Sequence, residues 1–184
     1  MLVTNFNPFP VLETERLLLR RITPDDADDL FILRADENIM RFIPRPLANT
    51  REDVLELIQT FDAGINHNEL INWAITFREI NRLIGTIGFI RMQKENYRAE
   101  VGYMLHFDYQ RKGVMQEALA VVIKFGFQAM QLHSIEAVID PENIASAKLL
   151  ERNHFIKEGH FKENCYFNDK FRDSVHYSLL TPLS

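Results

Sequence analysis

The sequence predicts an α+β domain built on a central mixed, mostly antiparallel sheet that carries helices on both faces. Segments rich in β-branched and aromatic residues alternate with segments whose apolar residues recur at helical spacing. The strand-like segments 72–77 and 83–90 are separated only by Arg-Glu-Ile-Asn-Arg, which favours an antiparallel hairpin. A long helical segment lies between the strand-like segments 100–105 and 135–139, and such a connection favours a parallel pair.

The N-terminal third is predicted to form one strand followed by two helices. Residues 15–22 suit a strand that ends at Thr23-Pro24, where Thr23 is a good N-cap and Pro24 fits the first helical position. The second helix is predicted to follow Thr50, because Asp53 completes a capping-box pattern with it. The first helix is predicted to direct three apolar side chains inward, those of Leu30, Phe31 and Leu33.

The rest of the chain is predicted to continue as strands with two further helices. One helix carries apolar residues at helical spacing, namely Met115, Leu119, Val122, Ile123, Phe127 and Met130. The other helix is predicted over residues 144–152. Three C-terminal strands are predicted at residues 155–156, 164–167 and 175–180.

Composition and charge limit the classes of function. The 184 residues are 46% hydrophobic and 26% charged, so we expect a single folded domain over residues 1–184. The formal net charge of −5 argues against a general nucleic-acid surface. No signal peptide or membrane-spanning segment is visible, so we expect a cytoplasmic protein. Cys165 is the only cysteine, and the six histidines show no metal-ligand spacing, so we expect no disulfide and no metal.

The most informative motif follows the strand-like segment 100–105. Ala-Glu-Val-Gly-Tyr from Ala99 is followed by Tyr-Gln-Arg-Lys-Gly-Val-Met from Tyr109, which indicates a strand, a cationic turn and a helix. The start of a helix offers unpaired N–H groups and the positive end of its dipole, and Arg111 and Lys112 add cations. The motif therefore predicts a pocket for a phosphate group, although neither a Walker loop nor a Gly-x-Gly-x-x-Gly fingerprint is present.

The loop from Gln110 to Met115 resembles the acyl-CoA-binding loop of the GNAT N-acetyltransferases. Three other segments are similar to the RimJ/RimL branch of that family, whose members acetylate the N-termini of ribosomal proteins. Residues 14–20 resemble the opening strand of that branch. Residues 143–151 resemble its Asn-x-x-Ser helix, and residues 166–173 resemble its final hairpin. Met115 and His154 depart from the family pattern, which has a small residue and a glycine at these positions.

The resemblance implies the GNAT fold, with a splayed pair of parallel strands, and acetyl-CoA as the acyl donor. It implies that the donor is bound by Met104, Leu105, Gln110, Arg111, Lys112, Gly113, Val114, Met115, Asn143, Ser146 and Leu149. Ser146 is further implied to protonate or hydrogen-bond the sulfur of CoA. A tyrosine four residues further on has this role in related enzymes, but this chain has Leu150 there.

Glu100 and Glu136 are the candidate general bases. Each lies in an otherwise apolar strand, and these two strands are expected to flank the thioester. An N-terminal amine has a pKa of about 7.7–8.0, so a carboxylate acting through water suffices to deprotonate it. Glu100 is slightly favoured. The alternative is that both side chains are partnered carboxylates on the sheet.

Four residues are predicted to line the acceptor site, namely Phe42, Trp73, Glu163 and Tyr166. The aromatic residues also suit a hydrophobic core. RimL-like sequences tend to carry a carboxylate immediately before the tyrosine of the final hairpin, whereas this chain has Cys165 before Tyr166. Glu163 is the candidate to replace that carboxylate.

The sequence therefore predicts an acetyl-CoA-dependent N-acetyltransferase that acts by direct attack of a primary amine. The favoured acceptor is a protein N-terminal α-amine of the ribosomal-protein type. A small-amine or drug acetyltransferase and a non-catalytic acyl-CoA-binding module are the alternatives. We expect an amine-bearing partner, either a peptide or protein N-terminus or a small molecule, with no nucleic acid and no membrane. A homodimer is left open.

Overall fold

The strands of the computed structural model, which describes residues 2–182, form one eight-stranded sheet. In chain order they are β1 (Leu12–Glu13), β2 (Leu17–Arg21), β3 (Ile71–Phe77), β4 (Ile80–Gln93), β5 (Arg98–Leu105), β6 (Ser134–Ile139), β7 (Ile156–Phe167) and β8 (Lys170–Leu180). Their order across the sheet is β1–β2–β3–β4–β5–β6–β8–β7. Neighbouring strands are antiparallel except for β5 and β6, which run parallel. The predicted mixed sheet is confirmed.

Five α-helices complete the described part of the chain. They are α1 (Ala27–Ala35), α2 (Glu37–Met40), α3 (Arg51–Asn66), α4 (Val114–Gln128) and α5 (Ile144–Arg152). Thr50 caps α3 through the predicted capping box with Asp53, and a 3₁₀ turn over Pro24–Asp26 leads into α1. The short helix α2 was not predicted, although Asp36 caps it by accepting hydrogen bonds from two backbone N–H groups. Within residues 2–182 no helix is long and apolar enough to cross a membrane.

The two hydrophobic clusters lie on opposite faces of the sheet. The larger cluster joins α4 and α5 to the strands and includes Trp73 and Ile75. The smaller cluster joins α1 and α3 to Ala74 and Leu83. Because successive residues of a strand point to opposite faces, Ala74 lies on the face opposite to its two neighbours in β3. The sheet thus separates an α4/α5 face from an α1/α3 face.

Backbone irregularities account for the differences between predicted and observed strands. The predicted strands 155–156 and 164–167 are the two ends of the single strand β7, whose register against β8 shifts between Phe161 and Cys165. Glu163, at a φ of +51°, interrupts the alternation of side chains there. The hairpin between β3 and β4 turns at residues 78–79 alone, so β4 begins earlier than predicted.

A buried ion pair fixes the junction between β2 and α1. The Asp26 carboxylate, which is 4% exposed, accepts hydrogen bonds from both terminal nitrogens of Arg20 at 2.7 and 2.8 Å. It also accepts one from the Thr23 backbone N–H at 2.8 Å. Bidentate Arg–carboxylate pairs are among the strong charged hydrogen bonds, and breaking a buried one leaves an uncompensated charge.

We therefore expect Asp26→Ala to lower the free energy of unfolding by about 3 kcal/mol, because Arg20 and the Thr23 N–H lose their partner. Urea denaturation followed by circular dichroism measures the change. Asp25→Ala is the matched control, since Asp25 is exposed, and it should change the free energy by less than about 0.5 kcal/mol. Equal effects of the two substitutions would contradict a structural role for this pair.

Candidate active site

The two parallel strands separate after three residues. β5 pairs with β6 at Arg98–Ser134, Ala99–Ile135 and Glu100–Glu136, and within the described chain the pairing goes no further. β5 continues to Leu105 alongside β4, whereas β6 continues to Ile139 alongside β8. The strands therefore leave a gap, here called the β5/β6 gap, bordered by residues 101–105 and 137–139. Backbone groups of β5 on this side are available to an extended ligand.

The N-terminus of α4 lies at the end of the loop that follows β5. Gly113 adopts a φ of +76°, which is the left-handed region that glycine enters without steric cost, and no side chain caps the helix there. Arg111 also has a positive φ, and Gln110 donates from its side-chain amide to the Leu105 carbonyl at 3.0 Å. The first N–H groups of a helix lack intrahelical partners, so this loop can bind an anion.

Glu117 connects this loop to the N-terminal segment of the chain. Its carboxylate accepts hydrogen bonds from the Thr14 hydroxyl at 2.5 Å, from the Arg16 N–H at 3.0 Å and from the Arg16 guanidinium at 2.7 Å. The same guanidinium donates to the Lys112 carbonyl at 3.2 Å. Burial opposes ionisation of Glu117, but these bonds outweigh it and hold its pKa below the ordinary value. No local sequence pattern indicates this contact, which joins residues about 100 positions apart.

Glu100 and Glu136 lie directly opposite each other where the strands separate. As register partners they share one face of the sheet, and alternation along β5 makes it the α1/α3 face. Arg91, the partner of Glu100 in β4, pairs with that carboxylate at 2.7 Å. Burial is the largest influence on Glu100 and, helped by the nearby Glu136 and opposed by Arg91, raises its pKa.

His176 is a functional candidate that the sequence reasoning missed. Its Nδ1 lies 2.8 Å from a Glu136 oxygen and its Nε2 lies 3.1 Å from the Ser174 hydroxyl. Arg98 also pairs with Glu136, at 3.1 Å, so this carboxylate has more partners than Glu100. The sequence pattern that indicates this site is the alternation in β8, where polar Ser174, His176 and Ser178 share one face of an otherwise apolar segment.

Ser146 faces the gap from the first turn of α5. Asn143 caps this helix, and its side-chain oxygen accepts the Ser146 N–H at 3.1 Å. The Ser146 hydroxyl lies 2.5 Å from the phenol oxygen of Tyr103, which reaches it from β5. Burial raises the pKa of Tyr103 to about 12. Leu150 is fully buried in the core.

The other residues that the family resemblance implies for donor binding differ in how deeply their side chains are buried. Val114 and Leu105 are buried in the α4/α5 cluster, and Met115 and Leu149 pack against it. Met104 packs on the opposite face, against the α1/α3 cluster. We infer that strand β5 would contact a ligand in the gap mainly through its backbone. Arg111 and Lys112 are exposed on the loop.

The structure corrects one of the four residues predicted to line the acceptor site. Trp73 is fully buried, its indole N–H donates to the Pro10 carbonyl at 2.8 Å, and Phe9 and Phe125 pack edge-on against it. Trp73 is therefore a core residue. Trp73 is buried because helix α4 covers its strand, and the local sequence does not indicate this packing.

The other three acceptor candidates lie around the β7–β8 hairpin. Phe42 is half-buried beneath the Arg41 guanidinium, and the Arg41 carbonyl accepts a hydrogen bond from Arg172 of the hairpin at 3.4 Å. Glu163 is exposed, and its backbone N–H donates to Asp173. Tyr166 is exposed and packs against Phe171. Their role in binding an acceptor stays a prediction. No cluster of three or more metal-binding side chains occurs between residues 2 and 182.

Comparisons with known proteins agree with this arrangement. The sequence profile of the acetyltransferase (GNAT) domain matches residues 16–156. The chain is 36% identical to the uncharacterized N-acetyltransferase YoaA of Bacillus subtilis, over 95% of this chain and 98% of that protein. The ribosomal-protein-S5-alanine acetyltransferase of Vibrio fischeri superposes with a TM-score of 0.81 at 27% identity, over 93% of this chain and 96% of that one. RimL, a ribosomal L7/L12 α-N-protein acetyltransferase in complex with coenzyme A, has the same fold, with a TM-score of 0.84 at 20% identity over 93% and 98% of the two chains.

We expect Glu117→Gln to lower the free energy of unfolding by about 1 kcal/mol at neutral pH, because a partly exposed charged network is lost. The depressed pKa of Glu117 makes its contribution present above the ordinary carboxyl pKa and lost as the pH falls through the folded-state pKa. The difference between variant and wild type should therefore shrink in acid. Urea titrations at several pH values measure it, with Glu52→Gln, an exposed first-turn glutamate of α3, as control. A difference that stays constant in acid would contradict the assignment.

Proposed function

The chain belongs to the GNAT acetyltransferase family and is an acetyl-CoA-dependent N-acetyltransferase, and we propose that its acceptor is the α-amine of a protein or peptide N-terminus. The observation that carries the mechanism is the position of Glu100, a partly buried carboxylate with a raised pKa at the point where β5 and β6 separate. The Vibrio fischeri relative, a ribosomal-protein-S5-alanine acetyltransferase, supports this class of acceptor.

The residues around the β5/β6 gap fit the donor. The open N–H groups at the start of α4, together with Arg111 and Lys112, suit the pyrophosphate, and the unpaired edge of β5 suits the amide groups of the pantetheine arm. The coenzyme A complex of RimL, which shares the fold, supports this class of ligand. When bound, acetyl-CoA supplies an acetyl group activated as a thioester.

Glu100 acts as the general base in this proposal. It accepts the proton of the attacking amine, directly or through one water, so that a neutral nitrogen forms the bond to the acetyl carbon. Glu136 is the less suitable base because Arg98 and His176 already engage its oxygens. Burial raises the pKa of Glu100 against the opposing charge of Arg91, and the charge of Glu136 adds to this rise.

Ser146 acts on the opposite side of β5 in this proposal. As the bond between carbon and sulfur breaks, its hydroxyl donates a hydrogen bond to the sulfur, which keeps the electron pair and leaves as a thiolate. Direct attack needs no acyl-enzyme, so Cys165 has no covalent role.

The second candidate for the acceptor is a small amine. Cys165 stands where RimL-like sequences tend to have a carboxylate, and this departure favours an acceptor other than the ribosomal-protein type. The exposed aromatic side chains of the hairpin, Phe161, Tyr166 and Phe171, favour a longer acceptor such as a peptide. The cytoplasmic location and the homodimer stay predictions.

An acceptor panel tests the proposal. The protein is incubated with acetyl-CoA and with peptides that begin with Ser, Ala or Met, and free thiol is measured. We expect thiol release and a one-acetyl increase in peptide mass with free N-termini, but neither with the same peptides blocked at the N-terminus. Polyamines and aminoglycosides test the small-amine alternative. Tight binding of CoA without thiol release for any amine would instead support a non-catalytic module.

Glu100→Gln should lower kcat/KM by about 10²-fold or more on the acceptor identified by that panel, because the base is lost. In the wild type, kcat/KM should rise with pH as Glu100 loses its proton, and burial places this rise above the ordinary carboxyl range of about 4.3. The variant should keep only the rise that belongs to the acceptor amine. Glu136→Gln is the comparison, and a larger loss there than in Glu100→Gln would assign the base to Glu136.

A further inference from the structure

Tyr103 and Ser146 form a part-buried hydrogen-bonded pair at the β5/β6 gap. The two hydroxyl oxygens are 2.5 Å apart, Ser146 is 5% exposed, and Tyr103 packs against the α4/α5 cluster. Tyr103 comes from a strand and Ser146 from a helix 43 residues later, so the pair exists only in the folded chain. The contact places the hydroxyl of Tyr103 beside Ser146, the residue proposed to act on the departing sulfur.

The direction of this hydrogen bond decides what the serine can do. A hydroxyl has one proton and two lone pairs, so a serine that accepts from the phenol keeps its own proton for another acceptor. Burial disfavours the phenolate and raises the pKa of Tyr103 to about 12, so the phenol stays protonated at working pH. The backbone N–H of Ser146 is already bound by Asn143, which fixes the serine from the other side.

We propose that Tyr103 is a positioning residue that donates to Ser146 Oγ and so directs the serine proton at the departing sulfur. The inference rests on the proposed function, because it needs a thioester in the gap. Tyr103 neither gains nor loses a proton in the step. The amine nitrogen forms a bond to the acetyl carbon as the carbon–sulfur bond breaks, and the sulfur keeps the electron pair and leaves as a thiolate. The proton of the amine passes to Glu100 and then to solvent.

Tyr103→Phe tests the inference because it removes the hydroxyl and keeps the ring. With acetyl-CoA and the acceptor found by the panel, we expect kcat to fall about 10-fold to 100-fold while KM for acetyl-CoA stays within about threefold. Ser146→Ala should show a loss of similar size. The double variant should be no slower than Ser146→Ala alone, because residues that act as one unit are not additive. Ser146→Thr, which keeps the hydroxyl, should recover part of the rate.

Tyr177→Phe is the matched control. Tyr177 is a buried tyrosine of β8, which β6 separates from β5, and its hydroxyl donates to Glu151 at 3.3 Å. Its kcat should match the wild type. Thermal unfolding of all variants separates a positioning role from a structural one, since a structural role would lower the melting temperature of Tyr103→Phe together with its kcat.

Two results would overturn the inference while leaving the proposed function intact. The first is an active wild type together with a Tyr103→Phe variant whose kcat stays within twofold of the wild-type value. The second is a double variant in which the losses of kcat for Tyr103→Phe and Ser146→Ala multiply. A wild type that binds CoA but releases no thiol with any acceptor would overturn the proposed function, and this inference with it.

Discussion

The three-residue pairing of β5 with β6 is the constraint on which the candidate site depends. Because the ladder stops at Glu100–Glu136, one edge of β5 remains without strand partners next to the N-terminus of α4. Buried backbone groups are costly without hydrogen bonds, so this edge favours a ligand that supplies them. The same separation places the two carboxylates at the closed end of the gap, and it lets a side chain from α5 approach β5. A longer parallel ladder would remove all three features at once.

Alternation along β5 divides the chemistry between the two faces of the sheet. Glu100 and Tyr103 lie three positions apart along the strand, so they point to opposite faces. The carboxylate lies on the α1/α3 face and the phenol on the α4/α5 face. In the proposed reaction, the proton of the attacking amine is thus handled on one face and the leaving sulfur on the other. Both residues belong to β5, so a single strand sets the distance between the carboxylate and the phenol. A strand keeps such a distance more rigidly than a loop does.

Local signals made much of the fold predictable, whereas long-range contacts decided the rest. Thr23 and Thr50 mark helix starts through hydrogen bonds to residues only three positions away, and the bounds predicted for α5 are those observed. The bulge in β7 shifts the alternation on which strand prediction relies. Burial of Trp73 depends on α4, and the partners of Tyr103 and His176 come from other elements. A single sequence contains the residue types of these contacts but not their proximity.

The asymmetry of the two carboxylates argues for more than a structural role. Placing two acids side by side in a partly buried position is costly unless cations compensate. A purely structural network would satisfy both acids, and Glu136 is indeed engaged by Arg98 and by His176. Among residues 2–182, Glu100 is paired with Arg91 alone, and its pKa is raised by burial and by the neighbouring acid. Neighbouring acids in unequal environments are a recurring arrangement for proton transfer, and in the proposed mechanism the less compensated Glu100 takes that part.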